Sequence, residues 1–271
     1  MLDNQPMTPL KLADNHVHTE WSWDAARGAM GESCRRAVEL GLPSIAFTEH
    51  ADWVRGPEAV VDPVGYFESI ERCRTAYPNL RILSGVEMGE PHLFPEAARK
   101  LLLAPFDRVV ASVHCVEWQG GWVDASERGF LTAANVEDVF DLYLREVLAL
   151  MESDQTFDVL AHLDYPKRYW PSEPRYDEAP REQEFRRILR AVAARGAALE
   201  LNTTRGGDPA RFLCPGPTVL KWWREEGGHA ISFGSDAHRP EVIAAGFQLA
   251  QAVAAEAGFE PREDPNGFWL R

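Results

Sequence analysis

Two histidines one residue apart in "DNHVHT" (14–19) present two imidazoles from one short extended segment, because alternate residues of a strand point to the same side. Asp24 follows in the next loop. Further along, His50 closes "AFTEH", Glu87 stands in "GVEMG", His114 closes "SVH", His162 lies in "AHLD", and Asp236 and His238 share "FGSDAH". Imidazoles and carboxylates together form a donor set for zinc, manganese or iron rather than calcium. The absence of a plausible Cys ligand among them argues against a purely structural zinc site. Taken singly, each residue has an ordinary explanation: a histidine ending an apolar strand is commonly a hydrogen-bonded rim residue, and an aspartate such as Asp24 is commonly a helix cap or turn residue. The coincidence carries the reading. Six of the eight histidines, namely His16, His18, His50, His114, His162 and His238, fall where apolar strands end, with Glu87 and Asp236 at equivalent places. Gathering so many polar groups in one mouth is costly unless something such as ions satisfies them. These nine donors exceed what one tetrahedral ion uses, which implies two or three ions sharing a bridging carboxylate, with Glu87 central in the set.

The elements that must position these residues follow from periodicity. Apolar segments of strand length recur at 10–17, 43–48, 80–86, 108–113, 157–162, 197–202 and 229–233. Between them, helical spacing runs through "GESCRRAVELG", "PVGYFESIERCRTAY", "PEAARKLLLA", "NVEDVFDLYLREVLALMES", "REQEFRRILRAVAARG", "GPTVLKWWREEGG" and "EVIAAGFQLAQAVAAEAG". Sustained alternation of this kind implies a parallel sheet, and seven units suffice to close an α/β barrel. The pattern alone also allows an open doubly wound sheet. No repeat, low-complexity tract or linker divides the chain, so 1–271 is expected to be a single domain. Long connections follow the second strand ("HADWVRGPEAVVD"), the fourth ("CVEWQGGWVDAS") and the fifth ("DYPKRYWPSEPRYDEAP"), all on the face where a barrel builds its active site.

Composition narrows the partners. A formal charge of −14, from 42 acidic and 28 basic residues, makes the surface repel nucleic-acid phosphates and anionic membranes. The opening "MLDNQPMTPLKLAD" lacks the basic start and apolar stretch of a signal peptide, no apolar run reaches the length of a membrane span, and a cytoplasmic protein is the expectation. Cys34, Cys73, Cys115 and Cys214 are scattered without a CxxC pair, as free thiols would be.

In the order and spacing of these motifs the chain resembles the polymerase and histidinol phosphatase (PHP) superfamily, and within it the histidinol-phosphate phosphatases. The resemblance implies a distorted seven-stranded (β/α)7 TIM-like barrel with a trinuclear site in its mouth. It implies one ion on His16, His18, Glu87 and Asp236, a second on Asp24, His50 and His238, and a third on Glu87, His114 and His162. Asp24 stands where many relatives carry a histidine. The resemblance also points to Arg168 in "DYPKRYW" and Arg205 in "LNTTRG" as a phosphate clamp, with Lys167 as a solvent-facing neighbour.

The reaction so implied is hydrolysis of a small phosphate monoester, L-histidinol phosphate, in histidine biosynthesis, with a metal-bridging hydroxide attacking phosphorus. Arg168, Arg205 and the third ion would neutralise the phosphoryl oxygens, and Asp236 or His238 would pass a proton to the leaving alkoxide. By loop position, Glu117, Asp124, Trp118 and Trp122 are candidates to receive the substrate's amine and imidazole. Asp14, two residues before His16, reads as a partner that orients an imidazole, while Glu20 has no assigned role. The competing readings are a nucleotide or other small-molecule phosphoesterase, a metal-dependent amidohydrolase, and a non-catalytic binding module. The first shares the metal site; the last predicts missing donors, and none is missing.

Overall fold

The computed structural model describes residues 12–171, 176–204, 213–262, 264 and 266–271. In chain order the strands are β1 (Asp14–Val17), β2 (Ser44–Asp52), β3 (Arg81–Gly89), β4 (Arg108–Ser112), β5 (Cys115–Trp118), β6 (Gly121–Asp124), β7 (Val159–Leu160), β8 (Ala198–Asn202), β9 (Ala230–Gly234), β10 (Glu260–Pro261) and β11 (Trp269–Leu270). The helices are α1 (Met30–Leu40), α2 (Pro63–Ala76), α3 (Pro95–Leu101), α4 (Arg128–Ala133), α5 (Val136–Glu152), α6 (Glu182–Arg195), α7 (Pro217–Glu225) and α8 (Phe247–Glu256).

Local chemistry sets several helix ends. Pro63 opens α2 behind Asp62, whose carboxylate accepts the Val64 N–H, and Asn135 caps α5 by accepting the Glu137 N–H. Gly41 ends α1 with φ at 70°, a conformation that costs a residue with a Cβ more than it costs glycine.

The main sheet runs β1-β2-β3-β4-β7-β8-β9-β11-β10. Strands β1, β2, β3, β4, β7, β8 and β9 pair in parallel and coincide with the seven expected from sequence. The curl then closes: Val17 bridges Ala237 in parallel, the His18 N–H donates to Ala237 O at 2.8 Å, and the Asp236 N–H donates to His16 O at 2.8 Å. That closure excludes the open doubly wound alternative. It is a closure at the mouth only. Lower down, β9 pairs antiparallel with β11 through Ile231 and Trp269, so the C-terminal segment occupies the seam and distorts the barrel.

Side chains alternate across the wall. On β8, Leu199 and Leu201 pack outward into the main core under the helices, while Ala198 belongs to a smaller cluster with Val110, Val159, Ala161, Ala230 and Phe268. This small apolar layer fills the lower barrel and leaves the levels above it to polar residues. No helix among the described residues is long and apolar enough to cross a membrane.

Three features depart from the sequence reading. The loop after the fourth strand is a hairpin, β5–β6, turned at Gln119 and Gly120 with φ of 51° and 83°. Helix α4 follows it, in a stretch to which the sequence pattern assigned no element. Helix α8 starts at Phe247 instead of Glu241, because Ala244 and Gly246 take left-handed φ of 56° and 78° and the Ala244 N–H is committed to Asp14 Oδ2 at 3.0 Å.

Candidate metal centre

Strand alternation delivers the donors. His16 and His18 share one side of β1 and its continuation, His50 and Asp52 one side of β2, and His50 sits opposite Glu87 in the β2–β3 register. His114 follows β4, while His162 and Asp236 lie just past β7 and β9 with φ of 23° and 53°. Such left-handed backbone is costly for these residues, and it turns both side chains into the mouth.

Glu87 is the hub. Its fully buried carboxylate places Oε2 3.3 Å from His16 Nε2, 3.3 Å from His18 Nε2 and 3.1 Å from His50 Nδ1. Oε1 lies 2.8 Å from His162 Nε2 and 3.4 Å from His114 Nε2. Oε2 nonetheless has no hydrogen-bond partner. Asp236 Oδ1 is 3.4 Å from His18 Nε2, and Asp24 reaches His50 Nε2 at 3.5 Å and His238 Nε2 at 3.1 Å. Three donor groups are close enough to hold an ion: His16, His18 and Asp236; His18, His50 and His238; and His50, Glu87 and His114. Within each, the ligand atoms lie within 4.8 Å of one another.

The imidazoles are oriented for ligation. His16 Nδ1 faces Glu200 Oε1 at 2.6 Å, His18 Nδ1 faces Ser22 Oγ at 3.0 Å, His114 Nδ1 faces Asp52 Oδ1 at 3.2 Å, and His238 Nδ1 faces Asp236 O at 2.9 Å. In all four, engaging Nδ1 leaves Nε2 to point its lone pair into the cluster.

The electrostatics ask for positive charge. Burial opposes the charged form of His16, yet Glu200, Glu87 and Asp236 outweigh it and hold its pKa well above the usual range. His50 and His114 are likewise raised against burial, chiefly by Asp52. Burial pushes Glu87 up, but His16 and His114 bring it well below an ordinary carboxylate; Asp236 is held down in the same way by His16 and His18. Asp52 falls to about 2 against burial, through His50 and His114. A cluster that draws protons onto His16, His50 and His114, while burial holds His162 down, and that leaves the central carboxylate oxygen unpaired, fits divalent cations in their place.

Every sequence-expected metal donor, His16, His18, Asp24, His50, Glu87, His114, His162, Asp236 and His238, comes together in this mouth. Other expectations are corrected. Asp14 orients no imidazole: its carboxylate accepts the Ser235 N–H at 2.9 Å, Ser235 Oγ–H at 2.6 Å and the Ala244 N–H, fastening β1 to the segment after β9. Glu200 takes the orienting role instead. Lys167 is not solvent-facing but buried, with Nζ 2.6 Å from both Asp164 Oδ2 and Leu213 O. Glu20 accepts the Met30 N–H at the start of α1.

Arg168 is buried beside the cluster, donating to Asn202 Oδ1 and lying 3.5 Å from Asp236 Oδ2. Arg205 falls outside the described residues. Trp118 turns inward against Phe130, at 5.4 Å between rings, and Glu117 pairs across the hairpin with Trp122 toward its tip. None of Glu117, Trp118 and Trp122 lines the mouth cavity, because the hairpin's inner side belongs to Val116, Trp118 and Val123 packed on the core.

That cavity, of about 240 Å³, is lined by Trp23, Asp24, His50, Asp52, Arg55, His114, Asp124, Ser126, His162, Tyr165, Asp236 and His238. Sequence reasoning missed Asp52, Glu200 and Arg55. Two of these carried a signal: Asp52 stands two residues after His50 on the same face, and Glu200 is a lone carboxylate inside "ALELN" on the face shared with Asn202.

Comparisons with known proteins show the family to which the chain belongs. Residues 14–204 match the family model described as PHP domain. The chain is 28% identical over 255 residues to the histidinol-phosphatase of Lactococcus lactis subsp. lactis (strain IL1403), covering 92% of this chain and 93% of that one. It is 28% identical over 255 residues to a probable histidinol-phosphatase of Deinococcus radiodurans, covering 89% and 91%. The crystal structure of the Lactococcus lactis enzyme complexed with Zn, L-histidinol and phosphate superposes with a TM-score of 0.81, covering 92% of this chain and 95% of that one. A second structure, from Listeria monocytogenes, shares the fold at a TM-score of 0.76 and 20% identity, covering 88% and 99%.

Proposed function

Because the chain belongs to the PHP domain family, we propose that it is a metal-dependent phosphatase acting on L-histidinol phosphate, with the whole of 1–271 as its catalytic domain. The observation that carries this reading is Glu87, whose two oxygens face five imidazoles in a buried cluster, within a chain similar over most of its length to a histidinol-phosphatase.

Two or three divalent ions, zinc foremost since the Lactococcus lactis relative binds it, would be held by His16, His18, Glu87 and Asp236, by Asp24, His50 and His238, and by Glu87, His114 and His162. Bound, such ions supply Lewis acidity, lowering the pKa of coordinated water toward neutrality and offsetting charge on a phosphoryl group. The chain's own residues do the rest. Glu200, Ser22 and Asp52 fix the imidazole orientations, so that the donors need no rearrangement. Arg168, held by Asn202 beside Asp236, brings a guanidinium to the edge of the cluster for a phosphate oxygen; Arg205, outside the described residues, is assigned to the same phosphate by the family resemblance alone. Of Asp236 and His238, the more exposed His238 is assigned the proton transfer to the departing alkoxide, because the Asp236 carboxyl is held well below the ordinary range and carries no proton to give.

Phosphate release measured across a panel of esters tests the reading, with elemental analysis of the same preparation. The expected result is two or three ions per chain and a kcat/KM for histidinol phosphate about 100-fold or more above that for sugar and nucleotide phosphates, roughly the discrimination that well-placed polar contacts provide. Equal turnover across the panel would remove the substrate assignment, and fewer than two ions in active protein would remove the multinuclear mechanism.

A further inference from the structure

Arg55, in the turn after β2, reaches across the mouth cavity. Its guanidinium carbon lies 4.7 Å from the centre of the Trp23 ring, it is ion-paired to Asp124 on the β5–β6 hairpin, and its Nε is 3.8 Å from Asp52 Oδ2. Each wall of this seat is independently fixed. Trp23 Nε1–H donates to Asp52 Oδ2 at 3.0 Å, and Asp124 Oδ1 accepts the Ser126 N–H at 2.6 Å, leaving Oδ2 for a cation. Asp52 also touches His114 and His50, so the seat adjoins the metal donors directly.

An aromatic face flanked by two carboxylates is a receptor for an organic cation. We infer that Arg55 fills, in the free chain, the seat that the substrate's ammonium group takes: the ammonium displaces the guanidinium from Asp124 and the Trp23 face while the phosphate lies over the donor cluster. This rests on the proposed function and adds its selectivity device. The exchange is cheap because the Arg55–Asp124 pair is partly open to solvent, at 28% and 19% exposure, where ion pairs contribute little. An ester without a cation forgoes Asp124 and leaves Arg55 in place.

The test uses the zinc-loaded full chain and two esters, histidinol phosphate and the phosphate of imidazolepropanol, which lacks the amine. Asp124→Asn is expected to lower the ratio of kcat/KM between them about tenfold or more, as loss of a charged partner does. Arg55→Ala is expected to lower KM for histidinol phosphate about three- to fivefold, the worth of a partly exposed ion pair, an improvement that misfolding cannot produce. Equal losses on both esters in Asp124→Asn overturn the inference while leaving the phosphatase reading intact. A loss of about 100-fold on both esters in Arg55→Ala also overturns it, making Arg55 a ligand of the phosphate itself. Wild-type protein that releases phosphate from neither ester overturns the functional reading and this inference together.

Discussion

Glu200 is the residue on which the orientation of His16 depends. It lies 2.6 Å from His16 Nδ1, and its other oxygen accepts the His162 N–H at 2.8 Å, so one buried carboxylate steadies two members of the cluster. Glu200→Gln keeps the volume and removes the charge. Metal affinity is expected to fall about 10- to 100-fold, the usual consequence of losing a group that orients a ligating imidazole. Competition between the protein and a coloured chelator for zinc measures it, and unchanged affinity would show that His16 needs no such support. Eight of the nine candidate donors stood out in the sequence because they lie where apolar runs end, with Asp24 in the loop after the first; Glu200 left only the trace of a lone carboxylate inside "ALELN", and its role shows once Gly234 and His16 are known to face it. Asp14 misled for the converse reason. Its proximity in sequence to His16 suggested a contact, whereas its bonds run to Ser235 and Ala244, which local pattern cannot reach.

At the scale of strands, two glycines open space for the carboxylates behind the donors. A Cβ on Gly234, at the end of β9, would stand 2.2 Å from Glu200 Oε1 and 2.7 Å from His16 Cβ; one on Gly89, at the end of β3, would stand 2.3 Å from Asp52 Oδ1. Both would push an orienting carboxylate off its imidazole. Gly234→Ala is expected to cost on the order of 1–3 kcal/mol, as overpacking does, and to reduce bound zinc as well. Thermal unfolding with elemental analysis checks it, and full zinc at an unchanged Tm would contradict it. The parallel strands were readable because, buried on both faces, they are near-continuous apolar runs between helices. The β5–β6 hairpin and β10 and β11 were not, because segments of two to four residues acquire strand character only from their pairing partners.

For the whole molecule, proton and metal occupancy compete for the same donors, and pH should separate the two forms. His16, His50 and His114 keep their protons in the metal-free fold to higher pH than an unfolded imidazole, near 6.5. The native state therefore binds more protons than the unfolded chain above that value. This stabilisation is complete below the unfolded pKa and is lost as pH rises through the raised folded ones. The Tm of chelator-treated protein is expected to fall as pH rises above the unfolded imidazole value of about 6.5. Zinc requires unprotonated imidazoles, so its affinity, and the stability it adds, rises across the same window. Scanning calorimetry of both forms checks the divergence, and parallel curves would argue against ligation by these histidines.

The mouth seam gives the centre an order of assembly. Asp14 and Ser235, whose bond fastens that seam, are 221 residues apart in the chain, and contacts so distant in sequence form late because a long loop must first be closed. His16 and His18 belong to one side of the seam, Asp236 and His238 to the other, with His50, Glu87, His114 and His162 on the strands between. A partly folded chain can offer an incoming ion only fragments of the donor set. Uptake of a divalent ion during refolding is thus expected to act as a clock for barrel closure, since an ion held by His16, His18 and Asp236 would join the two sides of the seam.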